Sequence, residues 1–159
     1  MRTHTLLVLL AMLTIGSAGV QAQQEAKSAP SAGAPGGIIF FDKQQVDAMF
    51  AKGGQLFNRL PMGKNYQIST SRRTGPGPAE VHAEDTDITY VVDGSGTLVT
   101  GGFIVGGKQT APGEIRGTSI EGGQSRQIGK GDVFIIPKGV PHWVQKTDGA
   151  LMQFHVKVR

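Results

Sequence analysis

Apolar positions along the chain follow three different patterns. Leu6 to Val20 is an almost unbroken apolar run behind Arg2, and Val20-Gln21-Ala22 offers small residues for cleavage ahead of Gln23. That layout predicts an export signal over residues 1–22. The run is interrupted by Thr14, Gly16, Ser17 and Gly19 and is shorter than the about 20 apolar residues a spanning helix needs, so cleavage is favoured over anchoring. Residues 23–37 turn to Gln, Ala, Ser, Pro and Gly, which bury too little apolar surface to offset chain entropy, and read as a flexible leader. The folded domain is then expected over 38–159.

Within that domain the first signal is helical. Val46, Met49 and Phe50 keep the i, i+3, i+4 spacing across Asp42 to Lys52, with Asp42 as the cap and Gly53-Gly54 as the stop. Beyond Gly54 the period changes. Short runs rich in β-branched or aromatic residues follow, ended by Gly, Pro, Asn or Asp: 55–60, 66–73, 87–93, 96–100, 126–128, 132–137, 142–145 and 151–158. Asp93-Gly94-Ser95-Gly96 signals a tight turn between two of them. The pattern predicts an antiparallel sandwich or barrel with one short N-terminal helix. In the last run Met152, Phe154, Val156 and Val158 alternate with Gln153, His155 and Lys157, so the apolar set is expected to face the core and His155 the polar side. Gly101 to Gly123 lacks periodicity and reads as a long surface loop, in which Glu114 and Arg116 form a locally paired acid and base at a turn.

Composition narrows the chemistry. Removing 22 of the 159 residues leaves 137, enough for one core. The chain has no cysteine, which excludes disulfides, thiolate catalysis and cysteine-zinc sites. The formal charge of +4 is scattered, with Arg72-Arg73 the only adjacent basic pair, and no basic stripe interleaved with aromatics marks a nucleic-acid surface. No nucleic-acid partner is expected, and no membrane contact once the signal is removed.

Two glycine-bracketed segments carry the candidate chemistry: Glu80-Val-His82-Ala-Glu84-Asp85-Thr-Asp87, and Gly131 through Pro137 and Gly139 to His142. Glu80 and His82 are two residues apart in an extended stretch and leave the same face. A short polar bend brings Asp87 back toward His82, and His142 opens a distant strand behind a proline-stiffened turn. Imidazole and carboxylate together suit one divalent first-row metal. An apolar wall is expected from Ile88, Tyr90, Val133, Ile135, Trp143 and Val144, with inward and outward members alternating along each strand. Tyr90 and Trp143 have an equal claim to outer-face or dimer packing. No phosphate-cradling loop is present, since Gly94-Ser95-Gly96 is too short and enters a strand. The substrate is expected to be small, organic, and uncharged or weakly anionic.

These segments resemble the two motifs of the cupins. His82, four residues, Asp87, six residues and Gly94 reproduce the spacing of the first; Gly131, five residues, Pro137, Gly139, two residues and His142 match the second at every step. Glu80 stands where the first family histidine belongs, Asp87 replaces a glutamate, and Lys146 takes a closing position that is often asparagine. The resemblance spans Tyr66 to Val158 and implies an all-β double-stranded β-helix, the jelly-roll or cupin barrel. It implies His82, Asp87 and His142 as ligands of Fe, Mn, Zn, Ni or Cu. Glu84 or Asp85 could substitute for Asp87. Glu80 would be a fourth ligand, which must be ionised, or a general base, which must be free to take a proton; the two roles exclude each other.

The expected protein is a periplasmic or secreted homodimer acting on a small organic substrate by dioxygenase, isomerase or lyase chemistry. The alternatives are a non-catalytic small-molecule or sugar-binding module and a scaffold whose pocket is vestigial.

Overall fold

The computed structural model describes residues 39–51, 56–59 and 63–159, and of 56–59 the backbone alone. The expected signal and leader, and the Gly53-Gly54 stop, lie outside the described residues. Helix α1 runs Lys43–Ala51, and its start is the expected cap. Asp42 Oδ1 accepts from the Gln45 amide at 2.8 Å while Gln45 Oε1 accepts from the Asp42 amide at 2.9 Å, a reciprocal capping box.

Among the described residues thirteen strands follow: β1 Leu56–Arg59, β2 Tyr66–Arg73, β3 Ala79–His82, β4 Thr86–Asp93, β5 Ser95–Thr100, β6 Phe103–Val105, β7 Lys108–Ala111, β8 Glu114–Gly117, β9 Ser119–Glu121, β10 Gln124–Gly129, β11 Val133–Ile136, β12 His142–Thr147 and β13 Leu151–Val158. They form a five-stranded sheet ordered β1-β2-β13-β4-β11, a six-stranded sheet ordered β10-β5-β12-β3-β8-β7, and a small β6-β9 pair. Every pairing is antiparallel, as expected of a jelly-roll barrel. The two larger sheets meet across Val91, Leu98, Ile128 and Leu151, with Phe134 and Val144 packed against them. A second cluster joins Ala79, Val99 and Ile120 to Ile104 and Trp143.

Two expectations differ from the structure. The stretch 101–123 is not a loop but holds β6 to β9. Its strands are three or four residues long and turned by glycines at positive φ, including Gly106 at 65° and Gly113 at 75°. Most lie open to solvent, so no buried face imposes an apolar alternation on them. The expected tight turn at Asp93-Gly94 is present between β4 and β5, with Gly94 at φ 83°, and it carries the chain from the five-stranded sheet to the six-stranded one.

The second correction concerns which face of β13 is inside. Leu151 and Gln153 are 0% and 1% exposed, and Gln153, His155 and Lys157 point into the barrel. Met152, Phe154, Val156 and Val158 therefore face outward. The same inversion runs across neighbouring strands: Ser69, Ser71 and Thr89 are buried, whereas Tyr90, Val133 and Ile135 stand 45%, 63% and 63% exposed. Around the cavity this sheet has a polar interior and an apolar exterior, the reverse of an ordinary half-buried sheet, while Val91 and Leu151 keep its interior apolar where the two sheets meet.

Candidate metal centre

Cross-strand register assembles the site. β3 lies between β12 and β8, with His142 opposite Glu80, Arg116 opposite Glu80 on the other side, and Glu114 opposite His82. In the other sheet Lys157 lies opposite Asp87, and Thr89 opposite His155. The bend 83–85 carries the chain from β3 to β4, which brings Asp87 across the barrel to His82. The turn before His142 is tied to the same place: Gly139, at φ 78°, donates its amide to the His82 carbonyl at 2.7 Å. Two segments remote in sequence thus share backbone hydrogen bonds, and the His82 and His142 rings stand 5.1 Å apart between centroids.

Each imidazole has one nitrogen engaged. His82 Nδ1 lies 2.6 Å from Glu114 Oε2 and, facing a carboxylate, is the protonated nitrogen. His142 Nδ1 donates to the Val140 carbonyl at 3.2 Å. Both Nε2 atoms are left to face Asp87, whose Oδ2 is 3.4 Å from His82 Nε2 and 3.5 Å from His142 Nε2. His82 is 3% exposed, and its Nε2 is buried without a hydrogen-bond partner, a state a buried polar atom rarely keeps.

Those three atoms lie within 4.8 Å of one another, and the residue types fit a divalent ion. A tetrahedral ion with bonds of about 2.0–2.1 Å has ligand-to-ligand edges of about 3.3–3.4 Å, close to the two spacings found. Glu114 behind His82 supplies the outer carboxylate that fixes the tautomer of a metal-binding histidine.

Two of the neighbouring cations are matched by carboxylates. Lys157 Nζ is 2.8 and 3.1 Å from the two Asp87 oxygens, and Arg116 is 3.1 Å from Glu80 Oε2. Burial would raise the Asp87 carboxyl, but contact with His82 and the Lys157 ammonium pull it down to about 2. Burial works against a charged His82, yet Asp87 and Glu114 outweigh it together with Lys157, and the pKa is raised. For His142 burial prevails over the Val140 carbonyl and Asp87, and the pKa falls.

Glu80 enters the cavity but stands 3.9 Å from His82 Nε2, outside the three-atom group. Glu84 and Asp85 instead turn to Arg159, at 3.8 and 2.8 Å, and Lys146 pairs with Asp148 on the surface. Glu114 and Arg116 do not pair with each other, because each meets its cross-strand neighbour. Of the wall expected from sequence, Trp143 and Val144 line the cavity, while Ile88, Tyr90, Val133 and Ile135 do not; Leu98, Phe134 and Ile136 take their place. Trp143 donates Nε1–H to the Gly77 carbonyl at 2.8 Å.

His155 reverses its expected position. It lines the cavity, held by Ser71 Oγ at 2.8 Å and Thr89 Oγ1 at 3.0 Å. Burial first, and the Arg73 cation next, lower its pKa to about 4. Arg73, Arg116, His155 and Lys157 all line a cavity of about 310 Å³. No motif marks Arg73, His155 or Lys157; the alternation in β2 and β13 could have revealed them only with the inner face known.

A sequence model of the family described as Cupin matches residues 58–158, most of the chain. The chain belongs to the cupin family. No protein of curated function matches it in sequence. Among solved structures, a hydroquinone 1,2-dioxygenase in complex with Cd²⁺ and 4-hydroxybenzonitrile is 13% identical, with 71% of this cupin and 69% of that chain covered at a TM-score of 0.54. A protein from Thermus thermophilus is 11% identical, covering 71% and 92% at a TM-score of 0.52. A cupin-2 domain protein from Shewanella frigidimarina is 16% identical, covering 75% and 94% at 0.49. At these identities the likeness is one of fold.

Proposed function

We propose that this cupin is exported, holds one divalent first-row metal ion between His82, Asp87 and His142, and acts on a small organic substrate in the cavity beside it. The observation that carries the reading is the buried, unpartnered His82 Nε2, aimed with His142 Nε2 at one carboxylate oxygen. A bound ion would supply Lewis acidity toward a substrate oxygen. The chain's own residues do the rest. Glu114 and the Val140 carbonyl hold the two imidazoles in the tautomer that presents Nε2, and Leu98, Phe134, Ile136 and Val144 limit water on one side. Glu80, steadied by Arg116, stands close enough to exchange a proton with a bound substrate or to become a fourth ligand.

Elemental analysis of protein purified without a nickel column tests the site: about one equivalent of metal per chain is expected, and its loss in His142→Ala. A metal-free protein that also refuses Fe, Mn, Zn, Ni and Cu in equilibrium dialysis would overturn the reading. Oxygen uptake or product formation with phenols, enols and keto acids, abolished in His142→Ala of unchanged fold, separates an enzyme from a binder. The second reading, a binding module without turnover, draws on Lys157, which already neutralises Asp87 and lets the pocket stand without an ion.

Two further features belong to the proposal. The apolar exterior bearing Tyr90, Val133 and Ile135 suits a second copy of the chain, since a symmetric pair would cover it. Sedimentation velocity should return a dimer that Ile135→Lys converts to monomer. Export predicts a mature protein beginning at Gln23 in the periplasm or medium, checked by N-terminal sequencing; retention of Met1 would contradict it.

A further inference from the structure

Among the described residues one cation in the cavity has no counterpart. Lys157 is matched by Asp87, Arg116 by Glu80, and His82 by Glu114. Among the described residues Arg73 has no carboxylate within ion-pairing distance, and its Nε is buried without a hydrogen-bond partner. Arg73 comes from the inner face at the end of β2, and its guanidinium packs against the backbone of Gly77: a Cβ built there would lie 2.5 Å from Nη1. A bulkier residue at 77 would push the group aside, so the glycine is what lets it sit where it does. Burial lowers the Arg73 pKa; Glu80 opposes that and Arg116 adds to it, consistent with a cation short of negative charge.

A guanidinium in a cavity wall, paired with no carboxylate among the described residues, is a donor fork that a ligand carboxylate can meet with two parallel hydrogen bonds. An apolar part of the wall, formed by Leu98, Phe134, Ile136, Trp143 and Val144, faces the same space. The cavity of about 310 Å³ has room for about ten volumes the size of a water at about 30 Å³ each, enough for a compact acid of that many heavy atoms.

We propose that Arg73 anchors the carboxylate of the ligand, and that the cavity takes small carboxylic acids with an apolar body, of the aryl or short-alkyl kind. This deepens the proposed function by naming its substrate class, and rests on that reading only for turnover.

The chain has a single tryptophan, Trp143, in the cavity wall, so its fluorescence reports occupancy directly. Benzoate and the isosteric neutral benzamide are titrated into the full chain, once after EDTA treatment and once with Zn²⁺. Benzoate is expected to bind at least about tenfold more tightly than benzamide in both arms, the difference a charge-assisted pair supplies. Arg73→Gln should abolish that preference while benzamide affinity stays within about twofold. Gly77→Ala keeps the arginine but displaces it, and should weaken benzoate alone; it carries the test if Arg73→Gln does not fold. Equal affinity for the two probes, no benzoate response at millimolar concentration, or a preference unchanged in the folded variants would overturn the proposal. Failure of the metal reading would show in the elemental analysis and leave the EDTA arm intact.

Discussion

His155 should make this protein acid-sensitive in a defined window. Its ring is held neutral inside the barrel by burial and by the Arg73 charge, with a folded-state pKa of about 4 against an ordinary 6.5. A histidine depressed in this way favours the folded state above pH 6.5, where both states are neutral, and loses that advantage as pH falls toward 4, because the unfolded chain takes up the proton first. At about 1.4 kcal/mol per pKa unit, the loss is about 1.4 kcal/mol by pH 5.5 and about 3 kcal/mol by pH 4. His155→Gln keeps an amide able to bond Ser71 and Thr89 but cannot titrate. Urea unfolding of both proteins in EDTA, from pH 8 to pH 4.5, isolates the residue in the difference between their slopes. The lower limit keeps Asp87 ionised, since its depressed carboxyl gives up stability only as pH falls from about 4 toward about 2. Curves that run parallel from pH 8 to pH 4.5 would refute the claim that a buried neutral ring stands at 155.

Glu114→Gln removes the carboxylate that fixes the His82 tautomer, and divalent-metal affinity measured by competition with a chromophoric chelator should fall about 10- to 100-fold. Gly94→Ala puts a Cβ 2.0 Å from the Ala150 carbonyl at a φ of 83°, and chemical denaturation should show a loss of at least about 2 kcal/mol. Leu151→Ala empties a site with no exposure where the two sheets meet, and should cost about 2–5 kcal/mol in the same assay.

The strand content, the antiparallel barrel and the capped helix were legible because each depends on local signals: β2 and β13 begin and end where their apolar runs and turn residues place them, and Asp42 caps α1 as its position before the apolar stripe implies. The two motifs likewise brought His82, Asp87 and His142 to notice, since their turns are encoded by glycine and proline at fixed spacing. The inner face of β13 was not legible. Alternation identifies two faces but not which one looks inward, and here the polar set is inside because most of β13 walls a site, with only Leu151 in the core.

The chain alone determined which segments extend, where they turn, and that two histidines with an acid converge. Only the tertiary structure decided their partners. Glu114 meets His82, Lys157 meets Asp87, and among the described residues Arg73 is left without a counterion, because antiparallel register sets residues distant in sequence side by side. Register is a long-range property, fixed by the packing of whole sheets, and no local pattern of residues contains it.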